Sequence, residues 1–286
     1  ETAALQLESI ADCHANAFGM LNITEDHLNR FQYKMENYIA AKCRGFENQT
    51  ENDFAALNYD DPIVRDMAKL TRARILYFSQ ETEPENGAFI RNGRIIFRLD
   101  GKETDLIATS ELRIPGKHNI ENALCAICLA MSQGLDAEGV RRGLREFPGV
   151  EHRIEFVREK DGVAWINDSK GTNPDSTIKA VQAMTRPTIL LLGGGSLIQQ
   201  WHGNLRYYRR LATLASRRGM GVMIWGAGLG PMYGATARRQ AALLLNSAGC
   251  VVLREPLALD IAHSLGVRLD GGSVYADPAL LTPPCE

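Results

Sequence analysis

The stretch Thr188-Ile-Leu-Leu-Leu-Gly-Gly-Gly195 decides the fold of the second half of this chain. An apolar run that ends in glycines is typical of a buried strand followed by a tight turn. Predicted strands and helices alternate around it, at Ser176–Met184 (helix), Thr188–Leu192 (strand), Tyr207–Arg217 (helix), Val222–Trp225 (strand), Ala235–Ser247 (helix), Cys250–Leu253 (strand) and Ala258–Leu265 (helix). This alternation predicts a doubly wound, Rossmann-like parallel sheet of the α/β class.

Upstream of this stretch, strands, helices and hairpins are mixed. Helices are predicted at Glu1–Asp12 and Met35–Phe46 and after Asn119, and strands at Phe18–Ile23, Phe54–Leu57 and Arg74–Ser79. Asn92-Gly93 and Asp161-Gly162 favour type I′ turns, so hairpins are predicted over Gly87–Leu99 and over Arg153–Asn167. The pattern of predicted strands and helices changes at Phe147-Pro148-Gly149. We therefore predict two domains, 1–148 and 149–286.

Composition excludes several classes of protein. The 286 residues are 45% hydrophobic and 23% charged, which is ordinary for a globular chain. A net charge of −2 does not favour nucleic acid or an anionic membrane, and no apolar run approaches the roughly 20 residues of a membrane span. Cys125-x-x-Cys128 lies in an apolar helical stretch without a second pair, which favours two core-facing thiols over zinc. A reducing, cytoplasmic compartment is expected, and the start at Glu1 inside a predicted helix suggests a fragment.

Two polar clusters lie in the first third of the chain. His27 follows Thr24, a good helix N-cap, at the kind of strand-to-helix edge where α/β sheets bind ligands. His27 could also simply be a polar residue that caps the helix. Lys42 and Arg44 lie in a mixed helix, where solvated surface charge is the competing interpretation.

Two further clusters lie at predicted helix starts and strand ends. The amides of Asn119 and Asn122 could pair with an adenine edge, although Asn119 could instead be only an N-cap. Arg153 and the run Asn167-Asp-Ser-Lys-Gly-Thr172 offer cations, an acid and a hydroxyl. An acid at a strand end can hold ribose hydroxyls, and cations can hold phosphate oxygens.

In this order, the clusters resemble the muramyl ligases, ATP-dependent enzymes that form peptide bonds in bacterial cell-wall synthesis. The branch that adds D-glutamate to UDP-muramoyl-alanine fits best. The resemblance runs from residue 1 to about 193 through Glu1–Glu8, Asn22–His27, Ala40–Lys42, His118–Asn122, His152-Arg153 and Asn167–Thr172. It implies a partial central ATPase-type domain before the Rossmann-like domain, and a cytoplasmic monomer that uses ATP and Mg²⁺.

The resemblance also implies roles for residues. Glu1, His27 and Lys42 would hold Mg²⁺, with His27 and Lys42 catalytic, because carbamylation turns the Lys42 amine into an oxygen anion suited to a hard cation. Asn119 and Asn122 would face adenine, Arg153 the phosphates, Asp168 the ribose, and Lys170 and Thr172 the phosphates and the incoming amino acid. ATP would convert the substrate carboxylate to an acyl phosphate, which the amine of D-glutamate attacks. Positioning and electrostatic stabilisation would supply most of the catalysis.

Two features depart from this pattern. The ligases' Gly-x-x-Gly-Lys-Thr/Ser phosphate loop does not occur, so the segment alone is expected to be inactive. After Gly193 the chain resembles the polysaccharide pyruvyl transferases, which transfer the enolpyruvyl group of phosphoenolpyruvate to a cell-wall sugar. That resemblance rests on Gly193–Gln199, Tyr207-Tyr208, Val222–Pro231, Leu253–Glu255, Leu265–Val267 and Ala276–Pro278. Gly226-x-Gly-x-Gly230 has the wrong spacing for a dinucleotide site.

Three functions are therefore open. The leading hypothesis is an ATP-dependent amide-bond ligase of peptidoglycan precursor synthesis. The second is a pyruvyl transferase that uses phosphoenolpyruvate. The third is a non-catalytic fusion or truncated product that keeps some nucleotide affinity. No nucleic-acid partner and no membrane span are expected in any of them.

Overall fold

The computed structural model describes residues 2–25, 28–114, 116–171, 174–193, 202–230, 232–269 and 273–274. These residues form two compact units, the first ending at Lys170 and the second beginning at Gly171. The predicted domain boundary after residue 148 stays a prediction. Within the described residues, no helix combines the length and the apolar character that a bilayer crossing requires.

A six-stranded mixed sheet forms the centre of the first unit. Its strands, in the order in which they lie side by side, are β1 (Ala17–Met20), β2 (Phe54–Asn58), β3 (Arg74–Ser79), β4 (Gly87–Arg91), β5 (Arg94–Leu99) and β6 (Lys102–Ala108). Strands β1 to β4 are parallel, and β4 to β6 are antiparallel. The carboxyl ends of β1, β2 and β3 therefore meet at one edge of the sheet.

Helices cover both faces of this sheet. They are α1 (Ala4–Leu7), α2 (Met35–Cys43), α3 (Pro62–Asp66), α4 (Lys117–Ser132) and α5 (Ala137–Glu146), with 3-10 turns at Leu28–Phe31, Arg44–Phe46, Met67–Leu70 and Thr109–Glu111. Helix α4 packs Leu124 and Ile127 against one face, among buried Leu76 and Phe78. Helix α2 packs on the other face through Tyr38.

The hairpin turns have the predicted backbone. Asn92 and Gly93 have φ of 51° and 74°, and Asp161 and Gly162 have φ of 52° and 75°, as type I′ turns require. The second pair joins β7 (Glu155–Lys160) to β8 (Val163–Asn167), a two-stranded antiparallel sheet within the first unit. Both predicted hairpins are confirmed.

The second unit is a four-stranded parallel sheet in the order β12-β11-β10-β9, which confirms the α/β class. The strands are β9 (Ile189–Gly193), β10 (Gly221–Ala227), β11 (Cys250–Leu253) and β12 (Ser273–Val274), and the helices are α6 (Pro174–Ala183), α7 (His202–Arg217), α8 (Ala235–Ser247) and α9 (Pro256–Ser264). The helices pack on Leu192 and Ile224. The side chains of Ile189 and Leu191 point to the opposite face and are 70% and 50% exposed, so β9 is not buried on both sides.

Several sequence predictions differ from the structure in detail. The first helix is limited to Ala4–Leu7, and Glu25, which directly follows Thr24, is not helical. A 3-10 turn covers Leu28–Phe31. Cys125 and Cys128 face the core, as expected. Burial raises the pKa of the Cys125 thiol to about 12 and also raises the pKa of Cys128. These thiols are therefore protonated and structural.

A buried carboxylate lies at the amino-terminal edge of the first sheet, opposite the edge at which β1, β2 and β3 end. Asp53 precedes β2 and accepts hydrogen bonds from His14 Nε2 (2.9 Å), the Thr50 amide (2.7 Å) and the Thr50 hydroxyl (2.8 Å). The bonds from His14 and Thr50 lower the pKa of Asp53 to about 2. The ionised carboxylate thus joins the chain before β1 to the turn before β2.

We expect Asp53 to make the stability of the first unit acid-sensitive. Since its pKa is lower in the folded chain than in the unfolded chain, its contribution is complete above about pH 4 and is lost as the pH falls through about 2. Urea titrations at successive pH values measure the free energy of unfolding. As the pH falls from about 4 to about 2, this free energy should decrease less for Asp53→Asn than for the native chain. The exposed Asp66→Asn is the control and should follow the native profile. An equal decrease in the free energy of unfolding on acidification for Asp53→Asn and the native chain would contradict the prediction.

Candidate functional site

Polar side chains line the edge of the first sheet where β1, β2 and β3 end. Asn58, the last residue of β2, is buried and donates to the Leu21 carbonyl (2.9 Å). Asp60 accepts from the Ser79 hydroxyl and from the Gln80 amide (2.8 Å). The three strand ends are therefore joined by side-chain hydrogen bonds.

This strand-end network is absent from the residues predicted from sequence. Its signal is the run Asn58-Tyr-Asp-Asp-Pro62, which directly follows a buried strand. Asp61 caps α3 by accepting from the Ile63 and Val64 amides, and it also accepts from the Ile23 amide (3.1 Å). An Asp-Pro pair is a strong helix start. The run could therefore have been placed at the sheet edge.

Helix α4 begins beside this network and carries the two predicted adenine-facing amides. Gln80 Nε2 donates to the Lys117 carbonyl (3.2 Å) and to Glu121 Oε1 (3.1 Å). Asn122 Nδ2 donates to Asn119 Oδ1 (3.1 Å), so these two amides lie side by side on the first turns. The N-cap position belongs to Gly116, with φ of 101°, so the alternative interpretation of Asn119 as the N-cap is wrong.

The loop that enters the β7–β8 hairpin has an unusual backbone. We call residues 152–154 the hairpin-base loop. His152 and Ile154, on either side of Arg153, have φ of 66° and 46°. A positive φ is a marked outlier for a β-branched residue such as Ile154, and such strain concentrates at ligand sites. The loop therefore needs external support.

That support comes from the end of β8. Asp168 Oδ1 accepts from the Ile154 amide (3.1 Å), and the Lys170 amide donates to the His152 carbonyl (3.0 Å). Burial raises the pKa of Asp168, whereas the Ile154 amide and the charge of Arg153 oppose the rise. Three predicted site residues, Arg153, Asp168 and Lys170, are thus brought together.

Gly149 links the hairpin-base loop to the start of α4. It has φ of 101°, and a Cβ built there would lie 3.2 Å from Ile114 Cγ2. Ile114 precedes the N-cap of α4, and Gly149 precedes His152 by three residues. The segments that carry the adenine-facing amides and the hairpin-base loop therefore touch at this point.

The predicted metal ligands can be compared with the structure only in part. Lys42 lies half-buried in the last turn of α2, with Nζ 5.3 Å from the centroid of the Tyr38 ring. Glu1, His27 and Thr172 lie outside the described residues. Among the residues that are described, no group of three or more His, Cys, Asp or Glu side chains could hold a metal ion. The roles of Glu1, His27 and Lys42 as metal ligands stay predictions.

The second unit has its own sheet edge. Gly228 follows β10, and a Cβ built there would lie 2.9 Å from Arg254 Nε and 3.1 Å from Glu255 Oε1. The two side chains that follow β11 therefore lie directly against the glycine backbone. Ligands of parallel sheets bind at this carboxyl edge.

A cavity in the first unit lies away from these residues. It measures about 510 Å³ and is lined by Tyr59, Tyr77, Glu83 and Glu85, among others. None of the predicted site residues lines it. It therefore adds nothing to the predicted nucleotide site.

Comparison with known proteins identifies two families. The model of the Mur ligase middle domain matches residues 2–130, and that of polysaccharide pyruvyl transferase matches residues 138–285. The UDP-N-acetylmuramoylalanine--D-glutamate ligase of Clostridioides difficile is 47% identical over 194 residues, which is 68% of this chain and 43% of the relative. The enzyme of the same name from Alkaliphilus metalliredigens is also 47% identical, over 68% of this chain and 42% of the relative. The chain thus spans less than half the length of these relatives.

Solved structures agree on the fold. MurF from Acinetobacter baumannii superposes with a TM-score of 0.61 at 17% identity, covering 87% of this chain and 53% of that chain. MurC from Thermotoga maritima gives a TM-score of 0.55 at 17% identity, covering 96% and 53%. The pyruvyl transferase match begins at residue 138, before the predicted change near residue 193. Residues 2–130 therefore match a Mur ligase middle domain and lie in the segment that is similar to the D-glutamate ligases. Through residues 138–285, which are just over half of its length, the chain belongs to the polysaccharide pyruvyl transferase family.

Proposed function

We propose that the first unit binds ATP for a cytoplasmic, monomeric ligase that adds D-glutamate to UDP-N-acetylmuramoyl-L-alanine. The observation that carries this proposal is the supported hairpin-base loop, where Arg153, Asp168 and Lys170 come together beside the segment that leads to α4. The named relatives, which are D-glutamate ligases, support the choice of substrate.

Each group has a chemical role in this proposal. The paired amides of Asn119 and Asn122 face the adenine edge, where their donors and acceptors match its pattern. Asp168 Oδ1 accepts a hydrogen bond from the Ile154 amide, and Oδ2 accepts one from a ribose hydroxyl. Arg153 holds phosphate oxygens, and Lys170 and Thr172 lie toward the phosphates and the amino acid.

The reaction proceeds in two steps. A carboxylate oxygen of the muramoyl-alanine substrate attacks the γ-phosphorus of ATP, and ADP leaves. The amine of D-glutamate then attacks the acyl carbon, inorganic phosphate leaves and the amine loses a proton. Mg²⁺ would screen the phosphate charge, with Glu1, His27 and carbamylated Lys42 as its proposed ligands.

Calorimetric titration with ATP tests the nucleotide site. We expect Asp168→Ala to weaken ATP binding at least tenfold, because it removes both the ribose acceptor and the support of the Ile154 amide. Asp161→Asn, in the turn at the far end of the same hairpin, is the control and should bind as the native chain does. No heat from the native chain at millimolar ATP would contradict the proposed function.

A second candidate function rests on the second unit. The contact of Arg254 with the Gly228 backbone places a cation at a parallel-sheet edge, where it could hold the anionic groups of phosphoenolpyruvate. The family match over residues 138–285 favours this candidate. Phosphoenolpyruvate binding that Arg254→Ala removes and Asp168→Ala leaves unchanged would support it.

A further inference from the structure

His152 in the hairpin-base loop has one ring nitrogen engaged and one free to meet a ligand. Nδ1 lies 2.8 Å from Asn167 Nδ2, and the side chain is 53% exposed. Within the described residues, Nε2 has no partner. A neutral imidazole carries one donor nitrogen and one acceptor nitrogen, so the contact at Nδ1 decides what Nε2 can do.

The orientation of the Asn167 amide follows from its other contacts. Its Oδ1 accepts from the Ser169 amide at 3.0 Å. A flipped side chain would place the NH₂ group against that N–H, with two donors facing each other. Nδ2 therefore faces His152, and its second hydrogen is donated to Glu155 Oε2 at 3.2 Å.

Because Asn167 Nδ2 donates, His152 Nδ1 has to accept. The nearest carboxylate oxygen, Glu155 Oε2, is 3.4 Å from Nδ1, which is longer than a normal N–H···O bond. That oxygen also accepts from the His152 amide at 2.8 Å. The neutral ring therefore carries its proton on Nε2, on the side directed away from Asn167.

We propose that Asn167 is a positioning residue that holds neutral His152 in the Nε2-protonated form, so that Nε2 donates a hydrogen bond to an anionic oxygen of the bound nucleotide. This inference rests on the proposed function of the first unit. It makes His152 a donor beside the charge of Arg153, and not a proton acceptor at Nε2. The strained backbone at His152 and Ile154 fixes where that donor points.

The tautomer can be measured directly in the native chain. Long-range ¹H–¹⁵N spectra of ¹⁵N-histidine-labelled protein distinguish protonated from unprotonated ring nitrogens, and His152→Gln assigns the signals among the six histidines. Above the titration range of histidine, we expect Nε2 of His152 to be protonated and Nδ1 to be bare. A proton on Nδ1 in the native chain would overturn the proposal.

Asn167→Asp tests whether the asparagine sets the tautomer. The substitution keeps the shape and the acceptor for Ser169, but it places an acceptor opposite Nδ1. We expect the His152 proton to move to Nδ1. Gln133→Glu, an exposed change from amide to acid at the end of α4, should leave the signals unchanged. An unchanged tautomer in Asn167→Asp would overturn the role of Asn167.

The donor role is tested with ATP as the probe. We expect ATP to shift the His152 Nε2 signal, and His152→Ala to weaken ATP binding about tenfold, with His152→Gln closer to native because its amide can still donate. If calorimetry shows ATP binding but the Nε2 signal does not move, the donor role is wrong. If ATP does not bind at all, the proposed function and the donor role fail, whereas the tautomer measurements still decide what Asn167 does.

Discussion

Replacing Gly87 with alanine is expected to cost the first unit at least about 3 kcal/mol of its free energy of unfolding. Gly87 begins β4 with φ of 134°, and a Cβ there would lie 1.7 Å from the Tyr77 carbonyl oxygen. The contact is with backbone of the neighbouring strand β3, so no side-chain rotation can relieve it. Both strain and displacement of β3 would follow.

Topology explains why this position is so tight. Strands β3 and β4 are parallel neighbours, with Tyr77 opposite Gly87, yet only loop 80–86 connects them. Parallel neighbours usually need a crossover of a dozen residues or more. The Tyr77 amide donates to the Asn86 carbonyl at 3.0 Å, which draws the returning chain against β3. Only glycine can follow such a return without a clash.

Gly93→Ala is the matched control. Gly93 also has a positive φ, of 74°, but a Cβ there meets nothing within 4 Å. Its substitution should cost about 1 kcal/mol from the backbone conformation alone. Urea titration gives both losses, and hydrogen exchange of β2 and β3 assigns them to the first unit. Equal losses at the two glycines would show that the Tyr77 contact does not determine stability.

The fold was predictable from sequence where apolar periodicity is strong. The bounds of β3, α8 and β11 match the prediction, because each element carries buried apolar residues at its own spacing. They are Leu76 and Phe78 in β3, Ala237, Ala241, Leu244 and Leu245 in α8, and Val251, Val252 and Leu253 in β11. Strand β6 was missed because Glu103 and Asp105 on it pair with Arg98 and Arg94 across the hairpin. Those cross-strand ion pairs take the place of an apolar alternation.

Helix α5 (Ala137–Glu146) was missed for a related reason. It contains two glycines and several charges, and only Val140 is buried. Ala137, Val140 and Leu144 recur at helical spacing and pack on the core, so the signal was present but rested on few apolar residues. Its start is nevertheless encoded, since Asp136 caps it by accepting from the Gly139 amide at 2.8 Å.

For the site, the sequence predicts which residues take part better than it predicts the hydrogen bonds that hold them in place. Arg153, Asp168 and Lys170 could be chosen from motifs, and the structure brings them together. The roles of Asn167 and Glu155 depend on the geometry of β7 and β8, including a register irregularity between Phe156 and Arg158. Such a bulge re-aims side chains and leaves no local sequence signal.

Arg153→Ala is expected to have the largest effect on nucleotide binding, about a hundredfold loss of ATP affinity. Arg153 lies between the two strained residues of the hairpin-base loop, so the backbone that presents its guanidinium is already ordered before the ligand arrives. Because less freedom is lost on binding, more of the charge-assisted hydrogen bond appears as affinity. Calorimetry with ATP at fixed ionic strength measures the loss.

Arg158→Ala is the control for charge alone. Arg158 is exposed on β7 of the same hairpin. Arg158→Ala removes the same charge as Arg153→Ala, but it should weaken ATP binding far less. A second readout separates the site from the surface: because the charge of Arg153 lowers the pKa of Asp168, Arg153→Ala should move the Asp168 titration to higher pH, and Arg158→Ala should not. If both arginine variants lose affinity equally and leave Asp168 unchanged, the hairpin-base loop attracts ATP only through its general positive charge.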